Sequence, residues 1–296
     1  MEKATVYFTR DISPIGLMRI YKSLGIELKG KVAVKISTGE PGGHNFLQPK
    51  LIAPLVQELN GTIVECCTAY KGRRLDPKEH WKAIEEHGFL DIAPCDIMDE
   101  EGEIKLPVQN SKHLQGYNIV GKNIQNYDSM LVLSHFKGHP LGGFGGALKN
   151  ISIGIASTKG KAWLHSSGHT TDISEMWNYF AYQDEFLESM AEASSSIIDF
   201  YKPENMAYIN VANRLSIDCD CNPHPAEPEM ADIGIFASLN PVALDQACYD
   251  AIINSEDTGK EKLVARMEDK NAIHLVEHSN KLGLGTRDYE IVDIDN

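Results

Sequence analysis

Four histidines and one lysine crowd a single stretch of this chain: His135 and His139 before Lys149, His165 and His169 after it. Neutral imidazoles ligate transition metals or move protons near neutral pH. A lysine kept from water becomes a nucleophile, a Schiff-base former or a phosphate clamp. Between them lie Gly138, Gly142, Gly143, Gly145 and Gly146. Such glycine density marks either a tight backbone crossing or a loop whose bare peptide approaches a ligand. It is not a phosphate-binding P-loop, because Lys149 is followed by Asn150 rather than Ser or Thr, and Gly143-x-Gly145 lacks the third glycine of a dinucleotide fingerprint. His135 and His139 have the i, i+4 spacing of a helical ligand pair, but Gly138 and Pro140 argue against a helix there. The candidate catalytic residues are His139, Lys149 and His165. The candidate cofactor-binding residues are Gly142, Gly143, Gly145, Gly146, Asn150 and Asp245.

A second constellation is Cys219-Asp220-Cys221 with His224 nearby, a compact set of soft ligands. A full zinc or Fe–S site needs about four ligands, so another must come from elsewhere, with Cys66, Cys67 or a loop histidine as candidates. The alternative is two reduced thiols in an ordinary loop. Candidate metal ligands are therefore His135, His165, His169, Cys219 and Cys221, for a transition metal or an Fe–S cluster. Cys95 and Cys248 read as small buried hydrophobes.

Alternating strand and helix patterns must position these groups. Lys31–Ser37 and Thr62–Glu65 are β-branched and read as strands. A helix starts near Pro49 and stops at Gly61, and Asp76-Pro77-Lys78-Glu79 is a capped helix start, with Trp81 and Ile84 turned inward. A small β excursion is expected between 93 and 126. Met130-Leu131-Val132-Leu133 reads as a buried strand that empties into the glycine loop, the way open α/β sheets build sites. Phe186, Met190, Ala193, Ile197 and Tyr201 form one helical stripe. Strands at 206–211, 232–238 and 289–293 and helices from Pro241, near 260–269 and near 272–281 complete the pattern. Asp245 shares a face with Cys248 and Ile252, which predicts an inward carboxylate. The fold class is α/β, with a mixed or mostly parallel sheet and helices on both faces. It is read as one domain over 1–296, or two α/β lobes meeting at the glycine loop.

With 296 residues, 42% of them hydrophobic, the chain can bury a full core. A formal charge of −14 argues against nucleic acid or an anionic membrane as partner. MEKATVYFTR lacks the apolar core of a secretory signal, and no apolar run nears the ~20 residues of a membrane span. The cysteine spacing is not that of a stapled secreted scaffold, so the cytoplasm is expected. The partner expected is a small-molecule ligand, with a homo-oligomer or a redox protein as the candidate protein partners.

His135-Phe136-Lys137-Gly138-His139 with Gly143-Phe144-Gly145-Gly146-Ala147-Leu148-Lys149-Asn150 resembles the central signature of the domain of unknown function 362 family. Gly39-Glu40, Tyr70-x-Gly72-Arg73, Cys219-Asp220-Cys221, Asp232–Ile235 and Asn240–Ala247 extend the resemblance over nearly the whole chain. The nearest subgroup is that of uncharacterised Fe–S centre proteins. Members usually carry a ferredoxin-type insert between the central loop and the long helix, where this chain has only Ser166 to Tyr179, without cysteine. There is also a remote resemblance to the nickel-pincer lactate racemase family, in which a histidine lies ten positions before a glycine loop's lysine and another sixteen after it, as His139 and His165 flank Lys149. That resemblance implies a lactate-racemase-like fold, with His139 transferring protons, Lys149 holding a cofactor covalently and His165 binding nickel. That family's second proton-transfer histidine has no counterpart here, where Tyr70–Arg73 occupies the loop.

The expectation is a metal- or metallocofactor-binding protein doing proton or electron transfer on a small polar substrate, with Asp232 and Asp245 orienting the reacting groups. The alternatives are a non-catalytic metal or Fe–S carrier, and a paralogue that kept the fold after losing its ferredoxin module.

Overall fold

A computed structural model describes residues 3–296. Three helices begin at a side-chain cap followed by proline. Strand β1 (Ala4–Thr9) leads to α1 (Pro14–Ser23), whose N-cap Ser13 accepts from Gly16 N at 3.1 Å. Strand β2 (Val32–Lys35), α2 (Pro49–Glu58) and β3 (Thr62–Glu65) follow. Helix α3 (Pro77–Glu86) is capped by Asp76, whose Oδ1 accepts from Lys78 N and Glu79 N at 3.0 and 3.1 Å. Ile84 is buried as expected, but Trp81 is only half-buried, because its indole N–H finds a partner in the exposed Glu100.

The segment between 93 and 126 holds β4 (Cys95–Ile97) and a hairpin of β5 (Glu103–Pro107) with β6 (Tyr117–Gly121). Strand β7 (Ser129–His135) runs into a ribbon of β8 (Lys137–His139) and β9 (Gly143–Gly145), then into the short helix α4 (Ala147–Ile151) and α5 (Thr158–His165). The long helix α6 (Gln183–Tyr201) buries Phe186, Met190, Ala193, Ile197 and Tyr201. Then come β10 (Met206–Ala212), β11 (Gly234–Ser238), α7 (Pro241–Ile253) capped by Asn240, α8 (Glu261–Asp269), α9 (Ile273–Lys281) and β12 (Tyr289–Asp293).

Eight strands make one sheet in the order β12-β1-β11-β10-β7-β2-β3-β4, parallel except at β11. The antiparallel step follows from the connection. Residues 213–233 contain no helix to carry the chain back over the sheet, and a parallel return needs such a crossover. Side chains of β7 alternate between two cores: Met130 and Val132 join the one beneath α4, α6 and α7, and Leu131 and Leu133 the one beneath α1 and α2. A strand apolar on both faces is thus covered on both.

From β2 the chain moves outward to β3 and β4, then returns to place β7 on the opposite side of β2. Connections diverge at that point, and a crevice opens at the carboxyl ends of β2, β3 and β7. No helix among the described residues is long and apolar enough to cross a membrane.

Candidate functional site

The crevice is a cavity of about 330 Å³ lined by the last residues of three parallel strands: Lys35 of β2, Glu65 of β3, and Ser134 and His135 of β7. The β8–β9 ribbon adds Lys137, His139 and Gly145, α4 adds Lys149 and Asn150, α5 adds Lys161 and His165, and the 213–233 segment adds Cys219 and Cys221. Arg74, Tyr70 and Trp177 also line it. Among the described residues, five cationic side chains (Lys35, Lys137, Lys149, Lys161, Arg74) line the cavity against one carboxylate, Glu65. In a chain of charge −14, that is a local reversal of sign.

Partners decide which of these cations are free. Arg74 is held by Glu40 at 2.9 Å and Glu65 at 3.4 Å, and Lys137 by Asp220 at 2.9 Å. Lys35 lies 3.9 Å from Glu65, yet burial outweighs that charge and brings its ammonium down to about 8. Lys161 Nζ reaches only the Ala156 carbonyl, at 2.5 Å. Among the described residues, Lys149 has no ion-pair partner and its ammonium donates no hydrogen bond. Lys149 and Lys161 are therefore the cations open to an anionic ligand.

The imidazoles differ in what their nitrogens can do. His139 Nδ1 accepts from the backbone N–H of Leu141 at 3.2 Å and of Gly142 at 2.9 Å. A neutral ring carries one proton, so in His139 it sits on Nε2, and that donor serves Cys219. Burial first, then the charge of Lys149, brings the His139 pKa down to about 4. His165 is the mirror case: Nδ1–H donates to Lys161 O at 2.6 Å, which leaves Nε2 with an open lone pair. Its ring stacks on Phe186 at 4.9 Å, and burial brings its pKa to about 4.

Ligand atoms of His139, Cys219 and Cys221 lie within 4.8 Å of one another. Hydrogen bonding from Cys221, then the charge of Lys149 and the His139 ring, draw the Cys219 thiol well below its ordinary range despite burial. Donating to Cys219 and burial push Cys221 well up. Of the two sulfurs, Cys219 is therefore the one the surroundings favour as the thiolate. Between them Asp220 turns the other way, to His135 Nδ1 at 2.8 Å and Lys137 at 2.9 Å, and so ties the cysteine loop to β7 and β8.

The family model described as "Domain of unknown function (DUF362)" matches residues 32–250. The chain belongs to this family. Two solved structures are similar to this member of it. One is the lactate racemase apoprotein from Thermoanaerobacterium thermosaccharolyticum, at 14% identity and TM-score 0.48, over 83% of this chain and 56% of that one. The other is a structural-genomics protein from Thermotoga maritima, at 13% identity and TM-score 0.43, over 90% of this chain and 58% of that one. The chain therefore spans just over half the length of each. No curated protein matches it.

In this member of the family the residues singled out by sequence separate into groups. His139, Lys149, His165, Gly145, Gly146, Asn150, Cys219 and Cys221 all line the cavity. His135 lines it too, but both its nitrogens are engaged, Nδ1 by Asp220 and Nε2 by Asn213 O at 2.7 Å, so neither is open to a metal. His169 is exposed, edge-on to Tyr179, and is not among the lining residues. His224 is likewise exposed, and the histidine that joins the cysteines is His139. Cys66 lines the cavity with its thiol bonded to Ile155 O at 3.2 Å, and Cys67 lies outside it beside His80. Asp232 is exposed and accepts from Arg214 N, away from the reacting groups.

The glycines also divide. Gly143 has φ +77°, and a Cβ there would stand 2.4 Å from that of Ala272, so it serves packing. Gly146 has no room for a side chain because Asp245 lies against it. Asp245 accepts from Ala147 N at 2.8 Å, Leu148 N at 2.9 Å and Asn210 Nδ2 at 2.8 Å. It is the cap of α4 supplied from α7, and it positions Lys149 rather than meeting a ligand. Burial raises its pKa to about 6 against those hydrogen bonds. Asp245→Asn sets an amide N–H2 against one of these donors, and we expect a loss of about 2 kcal/mol in urea unfolding. An unchanged midpoint would contradict this role.

Sequence reading passed over Lys35, Glu65, Arg74, Lys137 and Lys161. One signal was present: Lys35, Glu65 and His135 each end a buried strand, where a charged residue has no business in a core.

Proposed function

We propose that this protein binds an anionic, metal-bearing cofactor or a metal-chelating anionic substrate in the cation-lined cavity, and moves a proton on a small polar substrate there. The observation that carries this reading is the meeting of the buried Cys219 and half-buried Cys221 sulfurs with the unpaired ammonium groups of Lys149 and Lys161. Sulfur pairs of this kind suit thiophilic metals. The surrounding cations disfavour a bare dication, so the metal is expected to arrive with negative charge attached.

Cys219 and Cys221 would hold the metal, and the His139 Nε2–H would steady the Cys219 sulfur. A metal bound there would supply Lewis acidity at its remaining positions. Lys149 and Lys161 clamp the anionic group, and Asn150 borders it, its own Nδ2 fixed by Lys35 O at 3.1 Å and Ser134 Oγ at 3.0 Å. His165, with its open Nε2, is the proton acceptor. The His139 Nδ1 is occupied by backbone donors, so His139 is assigned no proton transfer.

The test is anaerobic purification of the untagged protein, followed by elemental analysis and titration with cobalt supplied together with a chelating dicarboxylate. Cys219→Ser is expected to abolish the thiolate-to-cobalt charge-transfer band. Lys149→Ala is expected to spare that band while weakening anion binding about tenfold, the value of one charged hydrogen bond. Protein that carries no transition metal, develops no such band and binds no carboxylate or phosphate overturns the proposal.

A further inference from the structure

A second set of ligating side chains lies outside the cavity, on the helices that back it. Helix α9 carries His274 and His278 at i, i+4, so the two rings share a face, their centroids 5.9 Å apart. Helix α6 presents Glu188 to both. Glu188 Oε1 lies 3.2 Å from His274 Nε2 and 3.5 Å from His278 Nδ1, and all three atoms fall within 4.8 Å of one another. Zinc bound to nitrogen and oxygen at about 2.0–2.2 Å has tetrahedral edges of about 3.3–3.5 Å. Two edges of that figure are already present, and the third closes by rotation of the histidine side chains.

The carboxylate is also held in place. Its other oxygen, Oε2, accepts from His113 Nε2 at 2.6 Å and from Lys112 Nζ at 2.8 Å, the outer contacts that orient a metal-binding carboxylate. His113 is anchored in turn by its backbone N–H to Glu192 at 3.0 Å. Side-chain exposures of 13%, 24% and 10% for Glu188, His274 and His278 leave a path for an ion and for solvent.

We propose that Glu188, His274 and His278 form a binding site for a zinc-class divalent ion, with water completing the tetrahedron. Each imidazole gives its lone pair to the metal and keeps its single proton on the other ring nitrogen. Binding therefore needs a tautomer shift and no oxidant or reductant. The ion would join α9 to α6. Helix α6 supports α4 through Ser194 Oγ on Leu148 O at 3.1 Å, so the site would brace the helix that carries Lys149.

Cobalt distinguishes this site from the cavity, because a ligand set without sulfur gives weak visible bands and no thiolate charge transfer. Titration of the full chain with Co²⁺ is expected to show a sulfur-free equivalent that survives Cys219→Ser. His274→Gln with His278→Gln should weaken that equivalent by about 100-fold or more, and the isosteric Glu188→Gln should do so without touching the α9 face. In a Cys219→Ser background, where the cysteine site cannot contribute, zinc should raise the melting temperature of the chain that keeps Glu188, His274 and His278 and not of the chains that carry these substitutions. Absence of a sulfur-free equivalent, or its persistence in both sets of variants, overturns the proposal, whatever happens at the cysteines.

Discussion

Arg74→Met is expected to cost about 4 kcal/mol of stability, a large share of the about 5–15 kcal/mol that holds a folded domain together. Arg74 is buried between two carboxylates, with Nε 2.9 Å from Glu40 and Nη1 3.4 Å from Glu65, while Nη2 donates to the Tyr70 hydroxyl at 3.0 Å. Burial alone would protonate Glu65. Arg74, then His80 and Lys35, overrule it and hold that carboxyl well below its usual range. Without the guanidinium, the two buried carboxylates keep only His80 and Lys35, beside Glu65, against two negative charges, which favours uptake of a proton. The deficit should therefore grow with pH, and Glu40→Gln in the same chain should recover part of it. Urea unfolding of wild type, both single variants and the double variant measures the coupling. A loss below about 1 kcal/mol for Arg74→Met, the size of an exposed pair, would mean that the network is solvated and not a buried ionic core.

Acid should unfold the protein through its cavity histidines. Burial above all, with Lys149 adding repulsion, puts both His139 and His165 at about 4 in the fold. In the unfolded chain they titrate near the ordinary value of about 6.5. Between those values the unfolded state binds more protons than the folded one, so stability falls as pH falls. It is fully present above about 6.5 and lost by about 4, on the order of 3 kcal/mol for each ring. The charge of each state of His139 acts on His165, and Lys149 acts on both rings, so the two losses are coupled rather than additive. Comparing urea midpoints of wild type and His165→Gln across this window removes the contribution of the surface carboxylates. The variant should show a visibly flatter dependence, and superimposable pH profiles would refute the buried, neutral state of His165.

Much of the architecture is legible in the chain itself. Asp76-Pro77 and Asn240-Pro241 announce helices α3 and α7 because a cap and a fixed φ act on their own neighbours. Met130–Leu133 announces a strand covered on both faces, and Asp245 points inward as its place on the Cys248–Ile252 face requires. Strand β1 and helix α1 escaped notice. Strand β1 is half-buried, and its ladder partners, β11 and β12, lie more than two hundred residues away.

The site divides along the same line. Residue types and spacing determined that His139, Lys149, His165 and the two cysteines were candidates, because local chemistry is written locally. Sequence spacing paired the cysteines with His224, three positions on. The fold pairs them with His139, eighty positions back, because β10 lies beside β7 and delivers the loop after it to the ribbon after β7. Which nitrogen of each imidazole is free, which lysines lack a carboxylate, and that five cations meet in one cavity were decided only by tertiary structure. These properties belong to the strand order that brings the carboxyl ends of β2, β3 and β7 together, and no stretch of chain encodes that order by itself.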